Sequence, residues 1–211
     1  ATTLIGLQQQ GIDPNRIGAV VVSHLHGDHF GGLPWLVLHA RHVARRRTPL
    51  VIAGPEGTED RFRRASEVLF ADSMRTDPQF GLEFRSYDLG KTLDVPGFRV
   101  TAYPVSHPSG AVSCGLRLEA GGRTLAFTGD TEWTDSLLDI ARDADLLIAE
   151  CYAWRTPTRY HMGWSIIESR LGDLGARRVM LTHMNSEMLA NAASIRDPRV
   201  VVAADGLVID V

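Results

Sequence analysis

A layered α/β sandwich, with two sheets face to face and helices outside, is the fold class this sequence predicts, and three observations predict it. Short β-branched runs alternate with stretches whose apolar residues recur at helical spacing. Between Phe80 and Phe127 that alternation gives way to consecutive extended segments, which read as antiparallel sheet. No Gly-rich phosphate loop follows any strand, which argues against a doubly wound nucleotide-binding fold. At 211 residues, 44% of them hydrophobic, one compact domain spanning 1–211 is expected.

The elements follow in order. Ile17 to Ser23 is short, apolar and β-branched, as a strand buried on both faces should be. After Gly31 and Gly32, Leu33, Leu36, Val37, Ala40 and Val43 mark a helix with Pro34 in its first turn. Leu50 to Ala53 is a strand, and Arg61 to Phe70 a helix with Phe62, Ala65, Val68 and Leu69 on one face. Leu82 to Tyr87, Phe98 to Tyr103, Ser113 to Leu118 and Arg123 to Phe127 are extended, with a hairpin turn at Gly121 and Gly122. Alternation then returns: helix 135–142, strand 145–150, helix 165–174, strand 178–182, helix 187–195 and strand 200–203.

A formal net charge of -3 provides no basic field, so coating nucleic acid through bulk electrostatics is disfavoured. Two cysteines make no disulfide framework and point to a reducing compartment, the cytoplasm. No apolar run reaches the length of a membrane span, and the first residues lack a charged-then-apolar signal segment.

The chemistry concentrates where strands end. His24, His26, Asp28 and His29 place four potential ligands within six residues of a strand end. Alternate positions of an extended segment point the same way, so His24 and His26 can grip one ion, and a turn eased by Gly27 can swing Asp28 and His29 toward a second. Imidazole and carboxylate without thiolate favour zinc, with manganese or iron also suited. His107, Asp130 and His183 each follow an apolar strand, the rim on which a shared site is built.

The run from His24 to His29 matches in full the His-x-His-x-Asp-His signature of the metallo-β-lactamase superfamily, which the sequence resembles over most of its length. Gly115 to Thr131 and Ala144 to Glu150 resemble the branch containing ribonuclease Z, phosphodiesterases and arylsulfatases. The resemblance implies a four-layer αββα sandwich. It also implies one metal held by His24, His26 and His107, another by Asp28, His29 and His183, and Asp130 bridging both. Antibiotic-hydrolysing members lack that aspartate, which disfavours β-lactam hydrolysis. Two adjacent ions sharing a hydroxide suit in-line attack on a phosphodiester, and the formal local charge of about +1 suits an anion.

Glu150 and His161 resemble the carboxylate and histidine that the ribonuclease Z-like proteins carry after the bridging aspartate. A histidine held by a carboxylate can protonate a departing alkoxide, so the candidate catalytic residues are Asp28, His161 and Glu150. The sequence departs from the family in two places. The usual first strands are not seen before the motif, which suggests an N-terminally incomplete chain. The long arm of tRNA-processing members is also missing, since only about twenty residues separate His107 from Asp130.

Other features read blandly. Arg41, Arg45, Arg46 and Arg47 complement a helix C-terminus and face water. His39 and His42 read as surface residues. Trp133, Trp154 and Trp164 read as packing, near the proposed rim. Arg155 and Arg159, between Glu150 and His161, can equally be solvated charges or bidentate phosphate donors. The expectation is a cytoplasmic dinuclear phosphodiesterase that takes a small phosphodiester or short nucleotide, forms a homodimer as many relatives do and does not engage membranes. Competing readings are a hydrolase of a lactone, thioester or sulfate ester, and an iron-binding redox or sensor protein.

Overall fold

The computed structural model describes residues 2–73 and 78–211. The chain divides into two compact units. The first comprises Ala1–Tyr87, Asp94–Gly97 and Ser109–Ala111; the second comprises Asp88–Leu93, Phe98–Pro108 and Val112–Val211.

In the first unit the order is α1 (Thr3–Gln9), β1 (Ala19–Val21), α2 (Gly27–Phe30), α3 (Leu33–His42), β2 (Leu50–Gly54), α4 (Thr58–Leu69) and β3 (Leu82–Ser86). β1, β2 and β3 form a sheet in that order, and both pairings are parallel. β2 is the central strand and is buried at every position, as its unbroken run of apolar residues requires. Val37, Ile52 and Phe62 pack the core, together with Phe30, which leaves α2 directly after the histidine motif.

Several expectations need correction here. β3 is parallel to β2, because α4 forms a crossover between them, whereas the alternation in its sequence marks an extended strand without fixing its direction. β1 is an edge strand of intermediate burial, not one buried on both faces. His42 is exposed as expected, but His39 is half-buried, with its Nε2 3.2 Å from Gln8 Nε2 on α1.

Arg46 is only 4% exposed rather than solvated. Its Nε donates to Thr48 O at 2.7 Å, and its Nη2 donates to Ile17 O and Pro49 O at 2.6 Å each. The guanidinium also lies 5.8 Å from the Phe80 ring centroid. Burial pulls its pKa below the usual arginine value, and Asp13 opposes that pull. The side chain thus ties together three main-chain carbonyls from either end of the 17–49 segment.

The second unit contains the first two residues of β4 (Thr92–Val95), then β5 (Phe98–Pro104), β6 (Cys114–Ala120), β7 (Arg123–Phe127), α5 (Ser136–Ala141), β8 (Leu146–Glu150), α6 (Trp164–Arg170), β9 (Val179–Thr182), α7 (Ser186–Asn191) and β10 (Val200–Val202). Its sheet runs β10-β9-β8-β7-β6-β5-β4. β6 is antiparallel to β5 and to β7, while β7, β8 and β9 are mutually parallel neighbours. Gly121 and Gly122, at φ 57° and 77°, form the two-residue turn between β6 and β7. Leu137, Ile140, Leu147, Ile167, Leu181 and Met188 pack α5, α6 and α7 onto this sheet.

At Gly115 a Cβ would lie 2.4 Å from Ile140 Cδ1, so the close packing of α5 on β6 depends on that glycine. Cys114 and Cys151 are free and buried, and burial pushes their thiols up to about 11 and about 12. No described helix is long and apolar enough to cross a membrane.

Arg46→Met should destabilise the chain by about 2–4 kcal/mol, because three carbonyls lose their close donor. The exposed Arg47→Met should stay within about 0.5 kcal/mol. Urea unfolding of both variants checks this, and equal midpoints would refute the structural role of Arg46.

Candidate metal and catalytic site

In the first unit, β1 delivers the chain into the turn that carries the histidine motif. Val22 N–H donates to Ala53 O at 2.8 Å, which extends the ladder by one residue before Ser23 and His24 leave it. His24 is completely buried, and its Nδ1 is 3.1 Å from Ser23 Oγ. Its ring centroid lies 5.0 Å from that of His26 and 4.0 Å from that of His29. His26 is the N-cap of α2, so Asp28 falls in the first helical turn, where its charge complements the helix dipole. Asp28 Oδ2 and His29 Nε2 are 3.4 Å apart. Gly31 allows the turn to close, since a Cβ there would lie 2.3 Å from Gly27 O.

In the second unit, β5 and β7 each run opposite to β6, and β8 and β9 run with β7. The C-terminal ends of these four strands therefore share one sheet edge, from which His107, Asp130, Glu150 and His183 emerge. The loops are tied to one another. An isolated antiparallel bridge joins Ser106 to Glu132, and Ser106 N–H donates to Thr131 Oγ1 at 3.0 Å. Ser113 Oγ donates to His107 O at 2.7 Å. Gly129 takes φ 61° immediately before Asp130.

Glu150 is fully buried. Its Oε1 accepts the Thr131 N–H, and its Oε2 lies 2.9 Å from His161 Nδ1 and 3.6 Å from His183 Nδ1. The hydrogen bond to Glu150 raises the His161 pKa above its usual value; burial opposes this, and the charges of Glu150 and Asp130 reinforce it. Asp130 is also buried, with its Oδ2 3.5 Å from His183 Nε2. The His161 ring is 4.9 Å from those of both His107 and Tyr152, and 5.4 Å from that of His183.

The donor chemistry fits divalent ions. One ligand atom each from His107, Asp130 and His161 lie within 4.8 Å of one another, and the same holds for Glu150, His161 and His183. Imidazole and carboxylate donors without thiolate suit zinc, manganese or iron. His107 Nδ1 is 3.0 Å from Tyr160 O; donation of its N–H to that carbonyl leaves Nε2 with a lone pair for a metal.

The sequence pointed to the histidines and carboxylates but missed the groups that orient them. The Tyr160 carbonyl belongs to the main chain and has no side-chain signature. Nothing in the sequence linked Thr131 to Glu150, or Tyr152 to the histidine rings. Trp164 is buried and stacks on Trp154 at 6.0 Å, in keeping with a packing role.

The chain is similar in sequence and fold to several known proteins. The family model described as the beta-lactamase superfamily domain matches residues 5–184. A Ribonuclease BN of Cronobacter sakazakii is 27% identical over 237 residues, covering 84% of this chain and 74% of that protein. An uncharacterized protein of Mycobacterium tuberculosis is 29% identical over 191 residues; the match covers 86% of this chain but only 66% of the relative, just under two thirds of its length. The crystal structure of the short form of human tRNase Z superposes with a TM-score of 0.76 at 24% identity, covering 99% of this chain and 85% of that one. The sequence follows the family pattern through most of its length and folds as that family does, and the chain belongs to the beta-lactamase superfamily of metal-dependent hydrolases.

Proposed function

We propose that this hydrolase is a dinuclear phosphodiesterase acting on a small phosphodiester or short nucleotide, with His24, His26, Asp28, His29, His107, Asp130 and His183 as metal ligands. The observation that carries the reading is the buried Glu150 carboxylate 2.9 Å from His161 Nδ1, in a cluster that includes His107 and Asp130. Two divalent ions, zinc first with manganese or iron as alternatives, would supply activated water and positive charge facing the phosphate.

The chain's own contribution is a positioned proton. Glu150 accepts from Nδ1 of His161, which fixes the ring and leaves Nε2–H as the end that can donate to a departing alkoxide. The raised His161 pKa keeps a larger fraction of the ring protonated near neutral pH, as a general acid requires. The relatedness to Ribonuclease BN and the fold shared with tRNase Z favour a phosphate ester over other esters.

Elemental analysis should find two ions per chain in the wild type and fewer in Asp130→Ala. Hydrolysis of bis(p-nitrophenyl) phosphate should fall about 10²–10⁴-fold in His161→Ala with metal content retained. Two bound ions with no turnover of that ester would overturn the phosphodiesterase reading in favour of a lactone, thioester or sulfate ester.

Glu150→Gln removes the group that raises the His161 pKa, so the His161 NMR titration of the metal-free chain should move down toward the ordinary histidine value. Because the folded-state value is raised, the pair's stabilisation is fully present below the unfolded value and is lost as pH rises through the folded one. That pH dependence should flatten in the variant. An unchanged titration would refute the assigned role of Glu150.

A further inference from the structure

We propose that Tyr152 is a positioning residue for the reaction: its ring fixes the plane of the His161 imidazole, and with it the direction in which His161 presents a proton to the leaving group. This deepens the phosphodiesterase reading and rests on it.

The placement follows from the main chain. β8 ends at Glu150, and the chain continues in bridge pairing as far as Ala153, which forms a parallel bridge with Gly163. Alternate residues of an extended segment face the same side. Cys151 turns into the core, with its Sγ 3.5 Å from Met188 Sδ, while Glu150 and Tyr152, on the other side, both meet His161. Residue 152 is held at both of its main-chain groups. Its N–H donates to Met162 O at 2.8 Å, one residue past His161, and its carbonyl accepts the Asn185 N–H at 2.8 Å, two residues past His183.

The Tyr152 ring centroid lies 4.9 Å from that of His161 with the planes 26° apart, within the range of offset aromatic packing. It also lies 5.7 Å from the His183 ring, and the His161 and His183 rings are 5.4 Å apart with their planes at 23°. Tyr152 therefore closes a triangle of rings around the candidate acid and a proposed metal ligand.

His161 needs such a neighbour. It follows a loop in which residues 155–157 and 159 are exposed. The hydrogen bond to Glu150 Oε2 at 2.9 Å anchors Nδ1. A ring anchored at one atom can still turn about that bond, and the turn swings the Nε2–H away from the atom it must protonate. A flat neighbour with a fixed main chain removes that freedom and keeps the proton aimed. The contact uses the aromatic ring and not the phenolic hydroxyl, so phenylalanine should serve as well.

The test compares Tyr152→Phe, Tyr152→Leu and Tyr152→Met in the zinc-loaded protein. The hydrogen bonds of residue 152 belong to the main chain and are available to all three variants, so the comparison isolates the ring. With thymidylyl-(3′,5′)-thymidine, whose leaving group is an alkoxide, kcat should fall about tenfold to a hundredfold in Tyr152→Leu and Tyr152→Met at unchanged KM and metal content. Tyr152→Phe should keep most of the wild-type rate. The loss should be smaller with bis(p-nitrophenyl) phosphate, because nitrophenolate departs with less help from an acid. NMR relaxation of isotope-labelled His161 ring carbons reads ring motion without substrate; it should report a more mobile ring in Tyr152→Leu and Tyr152→Met and wild-type order in Tyr152→Phe. A Tyr152→Phe protein as impaired as Tyr152→Leu, equal losses on the two substrates, or a His161 ring that stays ordered in Tyr152→Leu and Tyr152→Met would overturn the assignment. Failure of the wild type to hydrolyse either diester would count against the phosphodiesterase reading alone, since ring order still decides the role of Tyr152.

Discussion

The organisation of the second unit turns on one buried carboxylate. A glutamate with no solvent contact would take up a proton or destabilise the fold unless its oxygens were satisfied. Glu150 meets that demand with partners from two other segments. The Thr131 N–H follows directly on Asp130, and the His161 Nδ1–H lies across the 151–163 loop, with His183 Nδ1 close by. Satisfying these buried oxygens thus links the segments that carry Asp130, His161 and His183. A neutral residue at 150 would leave these groups with much weaker reason to converge.

That convergence is possible because strand direction places the loops together. The antiparallel β6 lies between β5 and β7 and restores a common direction on its two sides, so His107 leaves the sheet at the same edge as Asp130, Glu150 and His183. Glu150 is also in register with Thr182, one residue before His183, and Cys151 N–H donates to Thr182 O at 2.8 Å. Main-chain hydrogen bonds therefore set the spacing between the β8 and β9 ends before any side chain is considered. The loop bridge between Ser106 and Glu132 does the same for the β5 and β7 ends.

Much of this was legible in the residues and some was not, for reasons that differ by element. Apolar periodicity located α3, β2, α4 and the strands from β5 onward because each buries a face. α1 was missed, since Leu4 is its one buried residue, and so was β4, whose burial is mostly exposed or intermediate. The direction of β3 was misread because alternation reports which face is buried and carries no information about polarity. Arg46 was misread for a related reason: composition makes an arginine look solvated, whereas the carbonyls it satisfies come from residues 14 to 49, which only folding brings together. Glu150 and His161 could be singled out individually, but the main-chain groups of Thr131 and Tyr160 that orient the site leave no trace in side-chain identity.

Backbone strain at two residues near the site follows the same division between side chain and main chain. His183 and Tyr160 occupy the left-handed region at φ 55° and 66°, a conformation that costs a residue with a side chain about 1–3 kcal/mol. Glycine would remove that cost at either position, and the chain uses it at Gly129, where the turn before Asp130 needs no side chain. At 183 glycine would delete the imidazole beside Asp130 and Glu150. At 160 it would keep the carbonyl facing His107 but remove the ring against which Arg159 stacks. At these two positions both the bent main chain and the side chain are in use, and the hydrogen bonds and packing around each residue must offset the strain.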